Sequence, residues 1–263
     1  MINLGQYCKQ NIIDGHIHLF NKDGCIPFSK NAIYIAFCDI EPKYIESYNS
    51  TMKYYDDFIM NHYNDNIILL ATSGTPSEMI DIHKKYPDII KGFGEVKCYP
   101  EWKGKELNLD KLSKYWDLAK YAKENQLPIY IHFSLYDDSF VERFKRFVLK
   151  FPEVKIVLCH CGMDEMTDND FCYHSVMKLM EECNNLWCDI TWEALDYFSN
   201  NPFKLMNMDK SRLILGTDMN KLSMSQENYE KEWNKIHNLD SIINSDRNIK
   251  KLFKYESIYR SKK

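Results

Sequence analysis

Histidines and carboxylates recur along this chain where short apolar runs stop. They are Asp14-Gly15-His16-Ile17-His18, Gly94-Glu95-Val96-Lys97, Ile131-His132, Leu158-Cys159-His160-Cys161-Gly162 and Gly216-Thr217-Asp218. Imidazole nitrogens and carboxylate oxygens are ligands for a small divalent cation. A cation held this way lowers the pKa of water from about 15.7 towards 7 and polarises a carbonyl or phosphoryl oxygen. A nearby carboxylate then takes the proton and passes it to the leaving group. The chemistry these residues point to is metal-assisted hydrolysis. Side chains alternate faces along a strand, so His16 and His18 point the same way. By the same alternation His132 lies with Tyr130, Asp218 with Gly216, and His160 with Ile156 and Leu158, while Cys159 and Cys161 turn towards the helices. Gly15, Gly92, Gly94, Gly162 and Gly216 lie within three residues of a candidate ligand, where a missing side chain leaves room in a crowded site.

Bringing so many distant run ends together requires a closed parallel arrangement. Strand-like runs fall at 11–18, 31–37, 66–72, 90–97, 128–133, 155–160, 186–191 and 212–218. Ile33–Phe37 and Ile67–Ala71 are apolar throughout, as expected of parallel strands covered on both faces. Helical patterns lie between them. Thr75-Pro76-Ser77-Glu78 is a capping box with proline at the first helical position. Leu109, Leu112, Tyr115, Trp116, Ala119 and Ala122 form an apolar stripe at helical spacing. Asp138 can cap a helix with Val141, Phe144 and Val148 on its inner face. Further helices are expected near 170–183 and beyond about 226. Strand alternating with helix predicts an α/β fold, a (β/α)8 TIM-like barrel forming one domain over 1–263, with the active site at the carboxyl ends of the strands. Residues 19–30, too short and polar for a full helix, read as an active-site loop.

Composition sets the class. The 263 residues are 44% hydrophobic and 27% charged, enough for one large core, and no apolar stretch approaches the roughly 18–20 residues of a membrane span. The start lacks a basic segment followed by an apolar one, so no secretory signal is expected. Nine scattered cysteines without a CxxC pair read as reduced thiols of a cytoplasmic protein. A net charge of −4 gives no broad attraction to nucleic acid, although the tail from Arg247 to Lys263 is locally basic. His62, His83 and His237 read as structural or surface groups, as does His174. Phe20, Trp102, Tyr136, Trp192 and Glu193 follow strand ends and could shape a substrate pocket, with Ser134 and Asn220 as polar neighbours. The sequence leaves a homo-oligomer open.

The order HxH, strand-four Gly-Glu, strand-five His, strand-six His-x-Gly and strand-eight Thr-Asp resembles the amidohydrolase superfamily of metal-dependent hydrolases. The resemblance runs from Asp14 to Asp218, and Asn248–Phe253 resembles the family's closing helix. It implies that His16, His18 and Asp218 bind one ion, that His132 and His160 bind a second, and that Glu95 bridges them. Asp218 would also accept the proton of the activated water. Gly94-Glu95 and the compact barrel resemble TatD-type hydrolases, which include nucleases. Lys97-Cys98-Tyr99 and Gly216-Thr217-Asp218 depart from that branch. Leu215-Gly216-Thr217-Asp218, with Cys161-Gly162 after the strand-six histidine, resembles the amidohydrolase-2-like branch of hydrolases and single-zinc decarboxylases. Lys97, on the parity of Glu95, reads as a catalytic, substrate-facing group rather than as a carboxylated bridging lysine. The expected reaction is cleavage of an amide, lactone or ester bond of a small molecule on one or two ions. Zinc is the expected ion, with manganese or magnesium as alternatives. The alternatives in function are a TatD-like phosphodiesterase and a single-metal decarboxylase.

Overall fold

The computed structural model describes residues 13–18, 33–37, 48–61, 63, 67–72, 75–98, 111–220 and 226–254. Eight parallel strands follow one another around a barrel: β1 (Ile13–His18), β2 (Ile33–Phe37), β3 (Ile67–Ala71), β4 (Ile90–Lys97), β5 (Ile129–His132), β6 (Ile156–Leu158), β7 (Leu186–Ile190) and β8 (Leu213–Leu215). The eighth strand breaks at 216–218 and resumes as β9 (Met219–Asn220). β8 pairs with β7 and β9 pairs with β1, so one kinked strand joins both edges of the sheet. Asp218, at φ 53°, makes that kink, and its N–H donates to His16 O at 3.0 Å.

The helices are α1 (Tyr48–Asn61), α2 (Pro76–Lys85), α3 (Trp116–Asn125), α4 (Asp138–Lys150), α5 (Asn169–Glu182), α6 (Trp192–Asn200), α7 (Gln226–Ile243) and α8 (Ser245–Leu252). Thr75 caps α2 as its sequence predicts, accepting from Glu78 N at 3.3 Å. The cap of α4 is Asp137 rather than Asp138, accepting from the N–H groups of Ser139 and Phe140, and its buried face is Phe140, Phe144, Phe147 and Val148. The stripe before β5 also shifts. Residues 111–115 form a 3-10 turn at three residues per turn, which changes the phase of the face. Leu112, Tyr115, Leu118, Ala119 and Ala122 are buried, whereas Trp116 is 40% exposed with Lys150 Nζ 3.8 Å from its ring centroid.

Two apolar layers result. Ile35, Phe37, Ile68, Leu70, Tyr130, Val157, Cys159, Trp187 and Ile214 fill the barrel, and Ile249 and Leu252 of α8 join them. Lys155, at the start of β6, donates to Lys251 O and Leu252 O, so α8 lies across the amino-terminal end of the barrel. The opposite end is left for the site. Alternate strand residues such as Ile67, Leu69, Ile129, Ile131, Ile156 and Leu158 pack outward against the helices. No helix among the described residues is long and apolar enough to cross a membrane.

Candidate metal centre

The carboxyl ends of β1, β4, β5, β6 and β8 converge on one buried cluster. Ile17 faces the helices, so its neighbours His16 and His18 face the centre, with their Nε2 atoms 3.1 Å apart. A register shift between Phe93 and Val96 lets both of those residues pack outward and leaves Glu95 on the inside. Glu95 Oε1 lies 2.7 Å from His132 Nδ1 and 3.3 Å from His160 Nε2, and Oε2 lies 3.8 Å from His18 Nε2. Asp218 Oδ1 stands 2.9 Å from His18 Nε2 and 3.4 Å from His16 Nε2.

His160 arrives by a different route from the one alternation predicts. Strand β6 ends at Leu158, and 159–162 form a tight turn with His160 at φ 54° and Cys161 at φ 51°. The left-handed backbone swings the imidazole from the outward face of Ile156 and Leu158 into the centre. Cys159, expected to face the helices, belongs to the barrel interior, while Cys161 packs outward as expected. Both are free, buried thiols, as are Cys98, Cys172, Cys183 and Cys188.

The donor set suits divalent cations. Among the described residues three groups of ligand atoms lie within 4.8 Å of one another, and the two at the carboxyl end of the strands that contain a glutamate are His16/His18/Glu95 and Glu95/His132/His160. Glu95 is common to both. Cis ligands on a tetrahedral zinc, bonded at about 2.0–2.1 Å, stand roughly 3.3 Å apart, close to the 2.9, 3.1 and 3.4 Å separations among His16, His18 and Asp218. The electrostatics agree. Burial alone would raise the Glu95 pKa, but the charge and hydrogen bond of His132, with His160 and His18, hold it well below its ordinary value. Burial likewise opposes ionisation of Asp218, and the His18 hydrogen bond and the nearby histidines outweigh it, bringing the pKa down to about 2. His160 moves up to about 9: burial lowers it, but Glu95, Asp218 and Asp189 more than compensate. Two carboxylates that stay ionised in a buried pocket call for a positive charge between them, supplied by a proton or by a metal.

The residues that orient these ligands include two that the sequence did not single out, Asp189 and Thr191. Asp189, buried on β7, accepts from His16 Nδ1 at 2.8 Å. Thr191 Oγ1 lies 2.5 Å from His160 Nδ1, and Asp14 accepts from Thr217 N and Oγ1 at 2.9 and 2.8 Å. The available signal was a lone carboxylate inside the apolar run Leu186-Trp187-Cys188-Asp189-Ile190, since a buried charge is kept only with partners.

At the mouth, Lys97 Nζ lies 3.7 Å from Glu95 Oε2 with its side chain 42% exposed. Trp192 opens α6 rather than lying in a loop. At φ 49° it sets its indole 5.3 Å from the His160 ring and 6.4 Å from the His132 ring, centroid to centroid. Glu193 follows it, its carboxyl pKa raised by burial and by Asp196, Glu165 and Asp164. Phe20, Trp102 and the 19–30 loop lie outside the described residues, and Tyr136 is engaged with Asp164 at 2.5 Å.

Comparison with known proteins places this architecture. The family model described as Amidohydrolase matches residues 90–233, more than half of the chain. No curated protein matches significantly. Among solved structures, a probable 2-pyrone-4,6-dicarboxylic acid hydrolase from Acinetobacter baumannii, with citric acid bound, superposes at a TM-score of 0.62 with 12% identity, covering 94% of this chain and 100% of that one. An amidohydrolase from Burkholderia multivorans with bound HEPES gives 0.60 at 10% identity over 93% and 99%. A 2,6-dihydroxybenzoate decarboxylase from Rhizobium gives 0.55 at 10% identity over 94% and 100%. At such identities the structures share the barrel, and the family follows from the sequence model: the chain belongs to the amidohydrolase family and is an enzyme of that type.

Proposed function

We propose that this enzyme hydrolyses an amide, lactone or ester bond of a small molecule, using divalent cations, zinc by preference, held by His16, His18, Glu95, His132, His160 and Asp218. The observation that carries the reading is the sharing of Glu95 between two compact ligand groups. When bound, the ions supply Lewis acidity that brings the pKa of water from about 15.7 towards 7 and polarises the scissile carbonyl. Asp218 is the group for the proton. It is anionic and 19% exposed, against 2% for the Glu95 side chain, so it alone of the two carboxylates meets the substrate side. It takes the proton of the attacking water and delivers it to the leaving group. Lys97 offers an ammonium beside Glu95 to an anionic or carbonyl oxygen of the substrate, which makes it catalytic in this reading. Trp192 forms an apolar wall next to His132 and His160 that limits water, with Glu193 beside it. The buried free thiols suit a reducing, cytoplasmic setting.

The test is reconstitution. Metal-free protein is titrated with zinc or manganese and offered a panel of lactones, amides, esters and one generic phosphodiester. Metal-dependent hydrolysis of a carbonyl substrate, lost in His16→Ala/His18→Ala, is the expected outcome. A second reading, decarboxylation on a single ion, is favoured by the exposed Lys97, which suits a substrate carboxylate. Release of carbon dioxide from an aromatic carboxylate with no hydrolysis would replace the first reading by the second.

A further inference from the structure

We infer that Asp189 is the positioning residue for both halves of the centre, fixing the ring tautomers of His16 and His160 together. The inference rests on the metal-binding reading above and adds to it a residue that touches neither substrate nor ion. An ionised carboxylate only accepts hydrogen bonds. Asp189 Oδ2 lies 2.8 Å from His16 Nδ1, so Nδ1 carries the proton and Nε2 presents its lone pair towards His18 and Asp218. Asp189 Oδ1 receives the hydroxyl of Thr191 at 3.0 Å. With its proton committed there, the Thr191 oxygen can only accept from His160 Nδ1, 2.5 Å away. Once the ring is neutral, as a metal ligand must be, the His160 lone pair is therefore on Nε2, the atom 3.3 Å from Glu95. The same Oδ1 accepts the His160 backbone N–H at 2.5 Å, which holds the left-handed turn that swings this ring inward.

One carboxylate thus governs a histidine of each ligand group, His16 directly and His160 through a hydroxyl relay. Cys159, His16 and Asp189 are close enough to hold a cation of their own, but the carboxylate oxygens that would bind it are already taken by His16, His160 and Thr191.

The arrangement makes Asp189→Asn informative, because an amide cannot accept at both ends. With its nitrogen towards His16 it donates to Nδ1 and drives the ring proton to Nε2, the ligating atom. Turned over, it opposes the Thr191 hydroxyl and releases His160. Either way, one half of the centre is lost. Thr191→Val releases His160 alone.

The experiment is a zinc titration of the metal-free full chain against a chromophoric chelator, with far-ultraviolet circular dichroism of each variant as a control for folding. Asp189→Asn is expected to bind at least one equivalent about 10- to 100-fold more weakly than wild type. Thr191→Val is expected to weaken the equivalent that His160→Ala loses and to leave the other unchanged. Wild-type affinity for both equivalents in folded Asp189→Asn would overturn the inference. The nitrogen-15 shifts of the histidine rings in the zinc-free wild-type chain at alkaline pH decide it without any variant. Protonated Nδ1 in both His16 and His160 supports it, and a protonated Nε2 in either ring overturns it. A wild-type chain that takes up no zinc refutes the metal-binding reading, while the ring tautomers still test Asp189.

Discussion

Replacing Gly94 by alanine should both destabilise the barrel and weaken the metal centre, by amounts the geometry bounds. Gly94 sits at φ +125°, open to glycine and strained for any residue with a Cβ. That strain costs about 1–3 kcal/mol. An added Cβ would also stand 2.6 Å from Tyr130 O and 2.7 Å from Tyr130 Cβ on the neighbouring strand. Ordinary contact begins near 3.4 Å, so β4 and β5 must part by several tenths of an ångström, and such overpacking costs about 1–3 kcal/mol. Together these give about 4 kcal/mol, or a fall in Tm of roughly 10 °C for a domain of this size. Glu95 is the next residue, so its distances to His132 and His160 open with the same movement. The assay is thermal unfolding of the zinc-free chain by circular dichroism, paired with zinc stoichiometry after reconstitution. A Tm within about 2 °C of wild type together with unchanged zinc uptake would refute the reasoning.

Three further changes probe separate parts of the account. Arg212 donates to Met180 O, Cys183 O and Leu186 O at 2.6, 2.7 and 3.0 Å, binding the end of α5 to the start of β7. Arg212→Leu strands these carbonyls at a cost of about 3 kcal/mol, seen as a Tm lowered by about 6–12 °C. Asp137→Ala should cost about 1 kcal/mol in urea unfolding, through loss of the α4 cap, and Asp138→Ala far less. Asp218 has a folded-state pKa of about 2 against an ordinary 3.8, so its contribution to the zinc-free fold is complete above about pH 4 and is lost as the pH falls towards 2. That contribution amounts to about 2 kcal/mol at most. Urea midpoints measured across this range should fall less steeply in Asp218→Asn than in wild type, and equal slopes would show that Asp218 is not held by the histidines.

The barrel was legible because its strands are short apolar runs, each stopped by turn residues, and β1 to β8 fall within the expected segments, while β9 (Met219–Asn220) lies just beyond the last of them. The HxH pair was legible for a stricter reason: with Ile17 driven outward by burial, His16 and His18 must point in. Alternation failed where the backbone leaves the strand. At His160 a left-handed turn reverses the face, and the cue for it, the following Gly162, does not say which residue turns. Helix phase failed at Trp116 because a 3-10 turn precedes α3, and periodicity measured at 3.6 residues cannot show a local three-residue repeat. Asp189 escaped notice because its role is set by His16 on β1 and His160 in the turn after β6, both far away in sequence, and no local pattern encodes them.

The most direct test of the central claim is anomalous scattering at the zinc edge from crystals of the reconstituted chain. Two peaks are expected flanking the Glu95 carboxylate, one against His16, His18 and Asp218 and the other against His132 and His160. A single peak would leave one ligand group without an ion and remove the bridging role of Glu95. Zinc bound elsewhere, with none between these residues, would contradict the account outright.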